Sequence, residues 1–414
     1  VKRRVVVTGL GLVTAVGNDV ESSWAAILSG ASGAGPITRF DPTAHKTRFA
    51  CEAKAFDPTR YMDRKEVKRS DLFTQFALAA SVQAMDMAGF GGGTGYVPER
   101  TGVIIGSGIG GIQTFEDNQD VCRKLGPGKV SAFFVPMFIA DIAAGVVSMR
   151  FGAKGPNYAT VSACASSAHA IGDAFRAIAY GDADIMIAGG AEAAISTMSV
   201  AGFANMQALS QNNDEYLTAS RPFDVRRDGF VLGEGAGVAI LEELGHAVAR
   251  GATILGEVVG YGATGDAYHL TGQPDNHEGL QRAMRRALED AGLRPEDVDY
   301  VNAHGTSTPL NDPNEIRAIR SVFGAHAGTM SVSSTKSSTG HTLGAAGGVE
   351  FAFTTLALRD QVAPPTINCT QQDPECDLDV TPLVPKRREI RAAISNSSGF
   401  GGHNATIAVR RWHG

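Results

Sequence analysis

The chain has 414 residues, 43% of them hydrophobic and 19% charged, with a formal net charge of −6. This balance excludes a disordered chain and a basic surface built for nucleic acid or anionic membranes. The length exceeds what one hydrophobic core usually spans, so two fused halves are expected.

The start, Val1-Lys2-Arg3-Arg4-Val5-Val6-Val7-Thr8-Gly9, runs from basic residues directly into a strand, without the apolar stretch of a signal peptide. Val5–Val7, Gly102–Ile105, Ile185–Ala188 and Val238–Leu241 are short, apolar and bounded by glycine. That is the pattern of central strands covered on both faces. Helical periodicity runs over Asp71–Ala88, Ala165–Tyr180, His277–Ala291 and Gly347–Arg359, with Gly292 stopping the third. Strands alternating with helices predict an α/β fold.

The most apolar runs, Val135–Met149 and Ile185–Phe203, are broken by Asp141 and Glu192, so neither is expected to cross a membrane. The junction between halves is placed near Arg250–Thr253, giving segments 1–251 and 252–414. An echo between Asp182–Ile185 and Pro295–Val301, each leading into a strand, is too degenerate to demonstrate a duplication. Five cysteines, Cys51, Cys122, Cys164, Cys369 and Cys376, show no paired spacing. Reduced thiols and a cytoplasmic location are expected.

Three residues carry the chemistry. Cys164, among small neighbours in Ser162-Ala163-Cys164-Ala165-Ser166, directly precedes a predicted helix. At a helix start, free N–H groups and the helix dipole favour a thiolate and lower its pKa. On position alone, a buried core cysteine is an equal reading. His304 ends the apolar run Tyr300–Ala303 and faces the hydroxyl-rich loop Gly305–Pro309, where it can donate to a developing oxyanion or simply cap the turn. His341 follows Lys336 in a neutral, glycine-rich stretch, and Glu350 on the next helix is the candidate partner for that lysine. A cation there holds both imidazoles neutral, each still offering one N–H. One cysteine and two histidines lack the local pair spacing of a zinc site, so no metal is expected.

Gly106-Ser107-Gly108-Ile109-Gly110-Gly111 fits a dinucleotide fingerprint by letter, but the segment after it does not. It is read as close backbone packing beside a substrate channel. Gly399-Phe400-Gly401-Gly402 is a second such loop, whose glycines let the Phe400 ring move.

Taken together, Arg4–Gly11, Gly106–Gly111, Tyr180–Asp184, Arg227–Gly235, Asn302–Thr308 and Ser334–Ser337 resemble the β-ketoacyl-acyl carrier protein synthases, in particular the elongating type II enzymes. The resemblance spans nearly the whole chain. It implies the thiolase-like fold, two fused βαβαβαββ halves in five αβαβα layers, and a homodimer or a heterodimer with a chain-length-factor-like subunit. It implies an acyltransferase without a cofactor, whose substrates arrive on the phosphopantetheine of acyl carrier protein. Acyl and malonyl groups are joined with loss of CO2, extending a fatty acid by two carbons.

By the same resemblance, Cys164 is the nucleophile and His304 and His341 are the catalytic pair. Lys336 and Glu350 are the ion pair, and Asp312 is a structural acid. The backbone N–H groups of Cys164 and Phe400 form the oxyanion hole. Phe400 and Ser398 belong to the gate, with Ile109 and Phe203 in the acyl pocket. Thr306, Thr308 and Thr271 hold pantetheine, and Lys65, Lys68, Arg69 and Lys129 dock the carrier.

Three positions depart from the family pattern. Ser398 replaces a usual aromatic, Gln207 replaces an arginine of some members, and His403 is found only in some branches. A polyketide or polyene ketosynthase is the alternative with the same chemistry. A thiolase would carry a second catalytic cysteine near the C-terminus. An initiating synthase would pair its cysteine with His and Asn, and a non-catalytic chain-length-factor-like partner would lack Cys164.

Overall fold

A computed structural model describes residues 2–414. One mixed sheet is built from β1 (Val5–Val13), β2 (Thr101–Gly106), β3 (Asn157–Tyr158), β4 (Ile185–Glu192), β5 (Gly235–Glu243), β6 (Gly256–Gly265), β7 (Tyr300–Asn302), β8 (Ser331–Ser333), β9 (Ala392–Gly399) and β10 (His403–Arg410). The order across it is β8-β7-β9-β10-β6-β1-β5-β4-β2-β3. Outward from the β6/β1 seam, each half repeats one order: first strand, fifth, fourth, second, third. β1 and β6 pair only over Val5–Val7 with Gly256–Val258, so the seam is narrow and the halves are separate sheets in all but name.

Five helices frame the site: α1 (Leu72–Met87), α2 (Ser166–Tyr180), α3 (Glu278–Ala291), α4 (Asn311–Phe323) and α5 (Ala346–Asp360). α1 lies on the outer face of the first half and α3 on that of the second. α2 and α5 pack against each other between the two sheets. α5 is buried all round from Ala346 to Leu358, as a helix with sheets on both sides must be. Its Phe351, Phe353 and Leu356 are fully buried, each contributing about 2 kcal/mol of apolar transfer.

The outer helices sit on glycine. A Cβ at Gly9 or Gly11 of β1 would fall 2.1 or 1.8 Å from the Ala84 or Ala80 carbonyl of α1. At Gly260 or Gly262 of β6 it would fall 2.2 or 2.0 Å from the Ala287 or Ala283 carbonyl of α3. A Gly-x-Gly on the first strand of each half thus lets backbone meet backbone. Among the described residues no helix is long and apolar enough to cross a membrane.

Candidate active site

The two halves present their reactive groups by the same local device. In the first, the chain leaves β3, turns at Ala163 with φ +51° and enters a 3-10 turn, Ala163–Ala165, that feeds α2. Cys164 lies in that turn. In the second, the chain leaves β8, passes His341, turns at Leu343 with φ +48° and enters the turn Leu343–Ala345 that feeds α5. His304 follows β7 directly, and α4 begins at Asn311. Groups from the carboxyl ends of parallel strands and from the starts of the two central helices therefore converge, the usual place for a site in a parallel sheet.

They share one cavity of about 290 Å³, lined by Cys164, His304, His341, Phe203, Thr271, Thr306, Thr308, Ser398 and Phe400. Cys164 is buried, and the Phe400 N–H points at its thiol. Gly399 makes that approach feasible, because a Cβ there would lie 2.5 Å from the Ser162 carbonyl oxygen. The His304 and His341 rings meet edge to face with centroids 5.4 Å apart, and Phe230 backs His341 at 5.2 Å.

Lys336, 2% exposed, forms an ion pair with Glu350 and donates to the His304 carbonyl at 2.6 Å. Its Nζ lies 3.5 Å from His304 Nδ1. Burial first, and the Lys336 cation second, push the proton affinities of both histidines well below the ordinary imidazole range. Burial pushes the Glu350 carboxyl up and the ammonium opposes it. The imidazole nitrogen shifts of His304 and His341 are therefore expected to keep neutral-form values as the pH falls through the ordinary imidazole midpoint near 6.5. An NMR titration showing either ring protonating near 6.5 would contradict this.

One expectation is corrected. Cys164 stands at a helix start, but its pKa is not lowered: burial pushes the thiol up to about 12, against the smaller pull of Lys336 and the Phe400 N–H. Desolvation of a thiolate in a closed apolar pocket outweighs a helix dipole acting through one turn.

The remaining predicted residues fall in distinct places. Ile109 and Phe203 pack with Cys164, Phe230 and Leu343 in one apolar cluster. Ile109 is not on the cavity wall, whereas Phe203 is. Thr306 and Thr308 share a hydrogen bond of 3.0 Å at the cavity wall, and Thr271 is exposed at its mouth. Asp312 accepts from the Phe223 N–H at 2.9 Å and faces Arg227 at 3.8 Å. Lys65 and Arg69 line one surface groove, and Arg69 covers the Phe133 ring at 4.4 Å. Lys68 and Lys129 are exposed outside that groove.

Two buried acids were not singled out in the sequence. Glu192 at the end of β4 accepts from Ser107 Oγ (2.9 Å) and from the N–H groups of Gly108 (2.7 Å), Ile109 (3.1 Å) and Gly344 (2.9 Å). It ties the Gly106–Gly111 loop to the turn after His341, which accounts for the glycines there without a nucleotide. Glu315 on α4 accepts from the N–H groups of His304 (2.9 Å) and Gly305 (2.8 Å). In the sequence, its only signal is a place one helical turn after Asp312.

Comparison with known proteins gives this arrangement its family. Residues 2–247 match the N-terminal domain of beta-ketoacyl synthase and residues 255–370 its C-terminal domain. The chain belongs to the beta-ketoacyl synthase family. It is 52% identical to "3-oxoacyl-[acyl-carrier-protein] synthase 2" of Synechocystis sp., over 99% of both chains. Among solved structures, a beta-ketoacyl synthase from Burkholderia phymatum superposes with a TM-score of 0.93 at 37% identity, over 99% of this chain and all of that one. A type II polyketide ketosynthase, solved bound to a hexaketide and in complex with its acyl-carrier protein, superposes with a TM-score of 0.92 at 35% identity, over the whole of both chains. The fold is thiolase-like, and the chain is a condensing acyltransferase.

Proposed function

We propose that this beta-ketoacyl synthase extends fatty acyl chains by two carbons through Cys164, His304 and His341. One observation carries the reading: a thiol beneath an amide N–H opens into the same cavity as two buried, neutral imidazoles. The sulfur of Cys164 attacks an acyl-carrier thioester, and the N–H groups of Cys164 and Phe400 hold the oxyanion. Each such donor is worth on the order of a hundredfold in rate. The departing pantetheine sulfur takes the thiol proton, leaving an acyl-Cys164 ester.

Malonyl thioester then enters, and the N–H groups of His304 and His341 bond its carbonyl oxygen. As CO2 leaves, they stabilise the enolate. Its carbon attacks the acyl carbonyl, and the Cys164 sulfur departs as thiolate and takes a proton from water. The product is a 3-ketoacyl thioester two carbons longer.

Thr271, Thr306 and Thr308 hold the pantetheine arm along the mouth. Lys65, Lys68, Arg69 and Lys129 meet the acidic carrier. The edge strand β3, with Tyr158 exposed, pairs with a second copy to make a homodimer.

A type II polyketide or polyene role is favoured by Ser398 and by the likeness to the polyketide ketosynthase. The higher identity to the relatives named 3-oxoacyl-[acyl-carrier-protein] synthase 2 favours fatty acyl chains. Incubation with saturated acyl-carrier and malonyl-carrier protein decides: the elongated 3-ketoacyl product is expected by mass spectrometry. Its absence, with extension of polyketone or polyene chains, would select the polyketide role.

A further inference from the structure

Ser398 stands two residues before Phe400 on the cavity wall and brings no ring to it. A ring lies behind it instead, off the cavity wall. His277, just before α3, is fully buried, and its Nε2 lies 3.4 Å from Ser398 Oγ and 3.0 Å from Asn404 Oδ1. Its φ is +47°, after Asn276 at +61°. Both lie in the left-handed region, which asparagine and histidine adopt more readily than most side chains, and the turn there directs the ring inward.

Hydrogen bonding sets its tautomer. Asn404 Nδ2 donates to Asp266 Oδ1 at 2.7 Å and faces the Gly402 carbonyl at 3.4 Å, so its Oδ1 points the other way. That oxygen accepts from Ser398 Oγ at 2.8 Å and from His277 Nε2–H. His277 therefore carries its proton on Nε2, and its buried Nδ1 has no partner among the described residues.

Asn404 belongs to the base of the hairpin whose tip is Phe400: Ser398 pairs with Asn404 and Gly399 with His403. The Asp266 N–H donates to the Gly402 carbonyl at 2.8 Å. The contact is close, since a Cβ on Gly279 would lie 1.8 Å from Asp266 Oδ1 and 2.6 Å from Asn404 Nδ2. Beyond that base, the tip carries Gly401 at φ +89° and is held by the Gly401 N–H donating to the Leu270 carbonyl at 2.7 Å, the bond that has to open for Phe400 to move.

We propose that His277 is a positioning residue for the Phe400 gate: its imidazole fills the space beside Ser398 and, through Asn404 and Asp266, holds the hairpin base so that only the tip moves. The proposal rests on the condensation reading above. With a loose base, Phe400 leaves the free thiol too readily and malonyl thioester enters before Cys164 is acylated. It then loses CO2 and takes a proton from water, giving acetyl thioester instead of a condensed product.

The test is a double-mutant cycle of His277→Gly and Ser398→Phe on the full chain, with acyl-carrier and malonyl-carrier protein as substrates. Each single variant is expected to raise the ratio of acetyl thioester to 3-ketoacyl product about five- to tenfold, the first by loosening the base and the second by colliding with His277. In the double variant, the introduced phenylalanine ring occupies the room left by His277 and returns the ratio to within about twofold of the parent. Melting temperature follows the same cycle and reads the coupling without reference to activity. Rescue in melting temperature with no condensation in the parent would therefore fault the reaction and not the contact. An unchanged ratio in His277→Gly, or effects that merely add in the double variant, would overturn the proposal. If His277→Gly does not fold alone, Ser398→Phe against the double variant still decides: without rescue on removing the imidazole, the proposal falls.

Discussion

Replacing Cys164 by alanine is expected to abolish condensation, by about ten-thousandfold or more, because every later step needs the acyl ester on that sulfur. The fold should survive. Alanine is smaller, and the turn depends on Ala163 and on the Ser166 hydroxyl, which accepts from the Ser162 N–H at 2.9 Å and donates to the Ala163 carbonyl at 2.7 Å. Cys164→Gln separates the two half-reactions. Its carboxamide places a carbonyl oxygen toward the N–H groups that otherwise hold the acyl oxyanion, so the malonyl side meets what resembles an acylated enzyme. Malonyl thioester should then be converted to acetyl thioester and CO2 with no condensation. The checks are product analysis by mass spectrometry and CO2 release. Undiminished condensation by Cys164→Ala would refute the assignment of the nucleophile.

Lys336→Met is expected to be the second most damaging change, for two reasons that can be separated. Structurally, it leaves the Glu350 carboxylate buried without its cation, and Glu350 Oε2 already lacks a partner among the described residues. Breaking a buried pair from one side costs about 3–5 kcal/mol, measurable in urea unfolding. Chemically, it removes a cation that lowers the proton affinity of both histidines, so their pKa values should rise toward the ordinary 6.5. The His304 loop also loses the ammonium that anchors its carbonyl. Malonyl decarboxylation should fall by about a hundredfold or more. Adding Glu350→Gln removes the stranded charge and should recover most of the stability while leaving decarboxylation low. If activity returned along with stability, Lys336 would be a structural residue only.

Both predictions concern groups that could be read in the sequence, and what made them legible differs from what hid their neighbours. Cys164, His304 and His341 stand in unusual local company: small residues before a helix, or hydroxyls and glycines after a strand. Such company is costly in an ordinary element and so marks a site. Glu192 and Glu315 stand in ordinary company. In the sequence, Glu192 only interrupts an apolar run, and Glu315 looks like an exposed helical acid. Glu192 is buried because backbone N–H groups from two distant loops converge on it, and Glu315 because the loop just before its helix turns the His304 and Gly305 N–H groups onto it; no local residue pattern records either. His277 is harder still. It reads as the first residue of a helix, and its contacts with Ser398 and Asn404 join positions more than a hundred residues apart.

The thiol shows the limit from the other side. The sequence placed Cys164 at a helix start, where the chain does put it. From that position the dipole argument predicted a more acidic thiol. Its surroundings are set by Phe203, Phe230, Leu343 and the Phe400 hairpin, which arrive from both halves of the chain, and their exclusion of water decides the proton affinity.

By itself, then, the sequence determined the alternation of strands and helices, the family, and the three residues proposed to do the chemistry, because periodicity, turn chemistry and motif spacing are local. Only the tertiary structure decided which acids are buried, how the two halves close around one cavity, and whether the groups within it are charged. Burial and hydrogen bonding depend on which distant segments meet.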